Sequence, residues 1–156
     1  MKENINNDLE KLEGALFACI RITKRPSYWD EFQKRANVTI DRPAAFILMV
    51  LNKHSLQFQD LVNKLGVEAP SVSRKVHELE DSGYIKRQPT TDRRVHLLTL
   101  TPEGNAVAKK INESRLAIFS EIMSTWPEED KKQLSSLLSK LSEDLSNRFS
   151  QRKGQE

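Results

Sequence analysis

The segment from Pro70 to Ser82, PSVSRKVHELEDS, gathers short hydroxyls and one long cation at the start of a run with helical spacing. Wound at about 100° per residue, it puts Val72, Val76 and Leu79 in one narrow sector that must face a core. The opposite side carries Pro70, Arg74 and His77, flanked by Ser71 and Ser73. Arginine pairs bidentately with guanine in a major groove, and serine hydroxyls serve bases or phosphates, so this face has the make-up of a DNA-reading helix. A solvated helix face with a serine-rich start has the same make-up, and the helix alone does not separate the two readings. A second cationic group follows in the PTTDRR loop, where Arg93 and Arg94 stand beside Asp92, with Lys86 and Arg87 just before. Arginine gains from the negative potential of a narrow minor groove. Asp92 is spaced to hold such a turn through hydrogen bonds or an ion pair with a neighbouring arginine; a merely solvated hairpin tip is a common alternative, but it leaves unexplained why a helix of recognition type precedes it.

Elements that would position these groups are legible on both sides. Asp41, two residues before Pro43, is an N-cap for an apolar helix, AAFILMVLNK, from Ala44 to Lys53. A short helix from Phe58 to Leu65 stops at Gly66, the helix beginning at Pro70 stops at Gly83, and the pair forms a helix-turn-helix candidate. YIKRQ and VHLLTLT then read as two strands of a hairpin. Thr101-Pro102-Glu103 opens a long helix to about Ser124, and Thr125 with Glu128 has capping-box spacing for a last one. That last helix carries Leu134, Leu137, Leu138, Leu141, Leu145 and Phe149 on one face. At the other end Ile5, Leu9, Leu12, Leu16 and Cys19/Ile20 form a stripe that ends near Arg25-Pro26, and Tyr28 to Ala36 resumes as a second helical piece. The terminal stripes exceed what a small central unit covers, which favours a dimer over a monomeric bundle. The tail QRKGQE reads as disordered.

Composition narrows the classes further. In 156 residues, 37% hydrophobic and 30% charged with five glycines, there is room for one globular domain with helical extensions. The net charge of +3 does not by itself declare a polyanion binder. A single cysteine, Cys19, excludes an intrachain disulfide framework, and the polar start MKENINNDLEKLEG lacks the pattern of a secretory signal, so the expected setting is cytoplasmic. His54, His77 and His96 sit on three different elements, and no phosphate-binding glycine loop, nucleophile elbow or His/Glu metal spacing occurs. These residues point away from an enzyme, a metal site or a cofactor.

The run from Leu61 to Gly104 resembles the winged helix-turn-helix of the MarR family of bacterial transcription regulators. The likeness rests on Leu65-Gly66-Val67, Ser71-Val72-Ser73-Arg74, Leu79 followed by Gly83, Arg87, Asp92-Arg93-Arg94, and Leu100-Thr101 with Gly104. It extends to about residues 9–146, with the DNA-binding part at about 40–102 and the disordered tail at 150–156. The fold it implies is mainly α, a two-stranded wing on a helix-turn-helix, with N- and C-terminal helices intertwined in a homodimer. The implied function is a ligand-responsive repressor on a pseudo-palindromic double-stranded DNA operator. Ser71, Ser73, Arg74 and His77 would then meet the major groove, Arg93 and Arg94 the minor groove, and Asp92 would brace the wing. A small aromatic or phenolic effector is implied too, with Arg21, Tyr28, Trp29 and Phe46 as candidate lining. Two other readings stand beside this one. Cys19 would serve a peroxide or thiol sensor, although its place on the apolar stripe with Leu12 and Leu16 favours a buried, inert thiol. A winged helix also serves as a protein-interaction module.

Overall fold

The core is built around a helix that is apolar on nearly every side. The computed structural model describes residues 2–90 and 95–150, with side chains from 7–90 and 95–149. It divides into two compact units, Met1–Leu116 and Ala117–Glu156. In the first, α1 (Lys2–Thr23) and α2 (Pro26–Ala36) precede the central helix α3 (Arg42–Leu51), whose Ala44, Ala45, Ile47, Leu48 and Leu51 are buried. Each large aliphatic side chain so buried contributes about 1.5–3 kcal/mol. Asp41 caps α3 as expected, Oδ1 accepting from the Ala44 N–H at 2.8 Å. α3 packs against α4 (Phe58–Leu65), α5 (Ala69–Asp81) and the second strand of a hairpin, β1 (Ile85–Pro89) and β2 (His96–Leu100).

Local chemistry closes each of these elements. Gly66 ends α4 in the left-handed region, φ 64°, and its N–H bonds the Val62 carbonyl. α5 buries Val72, Val76 and Leu79, the sector expected of it. Gly83, φ 74°, turns the chain into β1, which pairs antiparallel with β2 in the register Ile85↔Leu100, Arg87↔Leu98 and Pro89↔His96. Leu56 adds a one-residue third edge: its N–H donates to Leu98 O at 3.2 Å, and the Leu98 N–H returns to Leu56 O at 2.8 Å. The result is a helix-turn-helix with a two-stranded wing.

Boundaries depart from the sequence reading where proline acts. α2 begins at Pro26 rather than Tyr28, because Arg25 takes the extended conformation (ψ 142°) that a following proline imposes and Pro26 fits the first turn. The last helix, α7 (Glu128–Ser150), opens behind Pro127, so Thr125 is not its cap; Glu128, Glu129 and Asp130 instead fill the first turn at the positive end of the helix dipole. α6 (Pro102–Ile122) starts in the first unit and ends in the second. The second unit is the end of α6 with α7, and there Leu137, Leu138 and Leu145 are exposed while Leu134 and Leu141 are half-buried. α1 in the first unit exposes Leu9, Leu12, Phe17, Ile20 and Ile22.

The wing base is fixed to the start of α6 by one residue. Thr101 Oγ1 donates to Gly83 O at 2.6 Å and accepts from the Gly104 N–H at 3.0 Å, while the Thr101 N–H donates to Tyr84 O at 3.0 Å. Gly104 lies so close to this turn that a Cβ would stand 2.0 Å from Tyr84 O. Backbone cannot yield there as a flexible side chain would. Gly104→Ala is therefore expected to lower unfolding free energy by about 2 kcal/mol or more, and Thr101→Val by about 1–2 kcal/mol. Urea unfolding followed by circular dichroism checks both; a Gly104→Ala protein as stable as the parent would contradict the close approach.

Candidate nucleic-acid interface

α5 carries two kinds of residue, distributed around its circumference. Ser71, Ser73, Arg74 and His77 are all exposed on the side away from Val72, Val76 and Leu79. The Ser71 and Val72 N–H groups bond back to Glu68 O at 3.1 and 3.3 Å, and Glu68 makes no side-chain cap. Among the described residues no carboxylate lies within ion-pair distance of Arg74. His77 Nε2 stands 3.7 Å from Asp81 Oδ2, an exposed pair that is ionic only when the imidazole is protonated.

Lys75, Glu78 and Glu80 of α5 are held in ion pairs within the protein, while Asp81 stays exposed beside His77. Lys75 Nζ donates to Asp41 Oδ2, at the N-terminus of α3, and also to Glu78 Oε2 one turn along. Glu78 thus shares the Lys75 ammonium with Asp41. Glu80 takes Arg87 from β1 in a forked pair, Nε to Oε1 at 2.8 Å and Nη2 to Oε2 at 3.2 Å. Arg87, placed by the sequence among the cations before the loop, is consequently a brace between α5 and the wing. The sequence had no means of pairing Lys75 with Asp41 across 34 positions. Asp41 was legible as a cap, and its second carboxylate oxygen was the unassigned group.

At Asp41, partial burial pushes the carboxyl pKa up, but the hydrogen bonds from Lys75 and the Ala44 N–H, with the nearby ammonium charge, outweigh it and bring the group below its ordinary 3.8. Lys75 moves above its ordinary 10.5, through the hydrogen bonds to Asp41 and Glu78 first. Farther along, Thr90 and Val95 close the hairpin, the Thr90 N–H donating to Val95 O at 3.1 Å. Asp92, Arg93 and Arg94 lie outside the described residues.

The candidate effector residues are distributed over three helices: Arg21 exposed on α1, Tyr28 and Trp29 half-buried on α2, and Phe46 exposed on α3. Trp29 stacks on Phe32 at 4.6 Å between centroids, and the Arg42 guanidinium lies 5.6 Å over the Phe46 ring. Two surface depressions, one along α7 at Ser135, Leu138, Ser139, Ser142 and Glu143 and one at the α2 end from Gln33 to Thr39, involve none of the four. On the single chain Cys19 is exposed, because α1 leaves most of its apolar stripe open. Among the described residues, no group of three His, Cys, Asp or Glu is arranged to hold a metal ion, and no helix is long and apolar enough to cross a membrane.

Residues 39–94, which include α3 to α5 and β1, match the model of the MarR family. The chain is 33% identical over 79 residues to YwoH of Bacillus subtilis, described as an uncharacterized HTH-type transcriptional regulator; the match spans 51% of this chain and 58% of that protein. With MdtR of Bacillus subtilis, an HTH-type transcriptional repressor, identity is 27% over 143 residues, spanning 90% of this chain and 88% of the relative. Among solved structures, a MarR family protein from Bacillus stearothermophilus shares the fold with a TM-score of 0.72 at 21% identity, covering 94% of this chain and 99% of the other.

The Asp41–Lys75 pair has a pH signature whose sign is fixed by these shifts. A lowered carboxyl pKa contributes stability that is fully present above pH 3.8 and lost as pH falls through the lowered value. A raised ammonium pKa contributes below pH 10.5 and is lost as pH rises through the raised value. Asp41→Asn keeps an N-cap and removes the charge. Its deficit in urea midpoint relative to the parent is expected to be flat between about pH 5 and 9 and to shrink in acid below 3.8. A deficit that does not vary with pH down to about 2 would contradict the ion pair.

Proposed function

We propose that the chain, whose residues 39–94 match the MarR family model, is a member of that family of winged helix-turn-helix transcription regulators and acts as a homodimeric, sequence-specific repressor of a double-stranded DNA operator. The observation that carries the reading is the partition of α5, with Ser71, Ser73, Arg74 and His77 turned outward while Lys75, Glu78 and Glu80 are held in ion pairs within the protein. A helix so arranged offers the major groove one long cation and two hydroxyls. Arg74 is the base reader in this proposal, Ser71 and Ser73 serve bases or phosphates, and His77 reaches a base or phosphate further along. Arg93 and Arg94 enter the flanking minor groove, with Asp92 bracing the wing.

Exposed apolar residues on α1 (Leu9, Leu12, Phe17) and on α7 (Leu137, Leu138, Leu145) support a second copy as partner, since faces of this kind on a lone chain leave large aliphatic surface in water. A two-fold dimer reads two half-sites about one helical turn apart, hence a pseudo-palindromic operator. The description of MdtR as a repressor supports repression. The proposed effector is a small aromatic or phenolic compound bound near Tyr28, Trp29, Phe46 and Arg21.

A second reading of the regulation applies where the partner copy leaves Cys19, exposed on the single chain, open to solvent: peroxide converts the thiol to a sulfenic acid with release of water and operator affinity falls. Mass spectrometry after mild peroxide treatment, paired with DNA binding, decides it: an unmodified Cys19, or an oxidised one with unchanged affinity, removes this reading.

Binding to duplexes selected from a random pool tests the main proposal. Arg74→Ala is expected to lose discrimination between the selected duplex and a scrambled one by about 1–3 kcal/mol. Arg94→Ala should weaken both and reduce the salt slope by about one unit. Sedimentation equilibrium is expected to read twice the chain mass. If both variants bind like the parent, the assigned contact surface is wrong.

A further inference from the structure

A helix held only by its apolar stripe can roll about its own axis, and α5 is held by more than its stripe. Relative to Val72, Lys75 lies about 60° to one side and Glu80 about 80° to the other, at 100° per residue. Each of these shoulder residues reaches a different neighbour: Lys75 goes to Asp41 ahead of α3, and Glu80 goes to Arg87 on β1. Lys75 is the better enclosed, its side chain 16% exposed, so its stem is packed and its ammonium has little freedom to leave. Asp41 is itself anchored twice, through its cap bond to Ala44 and through the preceding carbonyl of Ile40, which accepts from Gln33 Nε2 of α2.

We propose that Asp41 is a positioning residue for DNA reading: by holding Lys75 while fixed to the start of α3, it sets the rotation of α5 about its axis and so the direction in which Ser71, Ser73 and Arg74 point. The lever is short and sensitive. At a side-chain radius of about 6 Å, a roll of about 10° moves a reading atom by about 1 Å, enough to spoil a hydrogen bond to a base edge. Contacts to phosphate tolerate such a shift better, because they depend less on direction. The ion pair therefore acts on discrimination between sequences more than on general affinity. This inference rests on the proposed DNA-binding function, and its test separates the two.

The parent, Asp41→Ser, Lys75→Met and the double variant are compared. Serine keeps a good N-cap, so Asp41→Ser removes the grip on Lys75 while α3 stays capped. Each is titrated with the best duplex selected by the parent and with a scrambled duplex, and hydrogen–deuterium exchange is followed at the amides of 71–76. The affinity ratio between the duplexes is expected to fall about three- to tenfold in each single variant and no further in the double, with faster exchange in all three. Equal loss on both duplexes, or no loss in Asp41→Ser, would overturn the proposal. So would a loss confined to Lys75→Met with a salt slope lower by about one unit, since that marks Lys75 as a phosphate contact. If the parent selects no duplex, the functional reading falls instead, and the exchange data alone then decide: unchanged protection in Asp41→Ser means that Asp41 does not hold α5.

Discussion

A helix that reads DNA has to leave half of its circumference unburied, so only the other half is available to fix it. In α5 the buried half is narrow, Val72, Val76 and Leu79. These aliphatic contacts supply most of the attachment energy, but they are non-directional. Direction comes from the ion pairs on either shoulder, Lys75 with Asp41 and Glu80 with Arg87. Partly exposed pairs of this kind add little to stability, typically up to about 1 kcal/mol. Their effect lies in geometry, where a modest energy suffices because the competing orientations differ little in buried area.

The surrounding architecture supports that arrangement. α3 buries Ala44, Ala45, Ile47, Leu48 and Leu51, so the Asp41 cap sits on an element that cannot shift without disturbing the core. The hairpin is tied in three places: by Arg87 to α5, by the Leu56–Leu98 bridge to the segment before α4, and by Thr101 to Gly83 and Gly104. Gly104 is required because its neighbour is a carbonyl oxygen.

Local signals made α3 to α5 and the hairpin legible in the sequence. Asp41 and Pro43, Gly66, Pro70 and Gly83 punctuate the chain, and the buried sector of α5 follows from 3.6-residue periodicity alone. Partner choice between charged residues was not legible. Arg87, Lys86 and the loop arginines look alike in sequence, yet Arg87 has a carboxylate beside it and Lys86 is exposed. The Leu56–Leu98 bridge joins residues 42 positions apart with no pattern to announce it. The cover over Cys19 was not legible for a related reason: periodicity identifies an apolar face but does not say whether the chain itself or a second copy covers it.

One consequence follows from the way holding and reading residues interleave on α5. Positions 72, 75, 76, 79 and 80 attach the helix, while 71, 73, 74 and 77 face outward, and no residue belongs to both sets. Substitutions in the outward set leave the attachment intact. The chain can therefore acquire a new target sequence by changing a few side chains on an unchanged mount, much as a type slug is replaced in a press, and selection for specificity proceeds without first having to repair the fold.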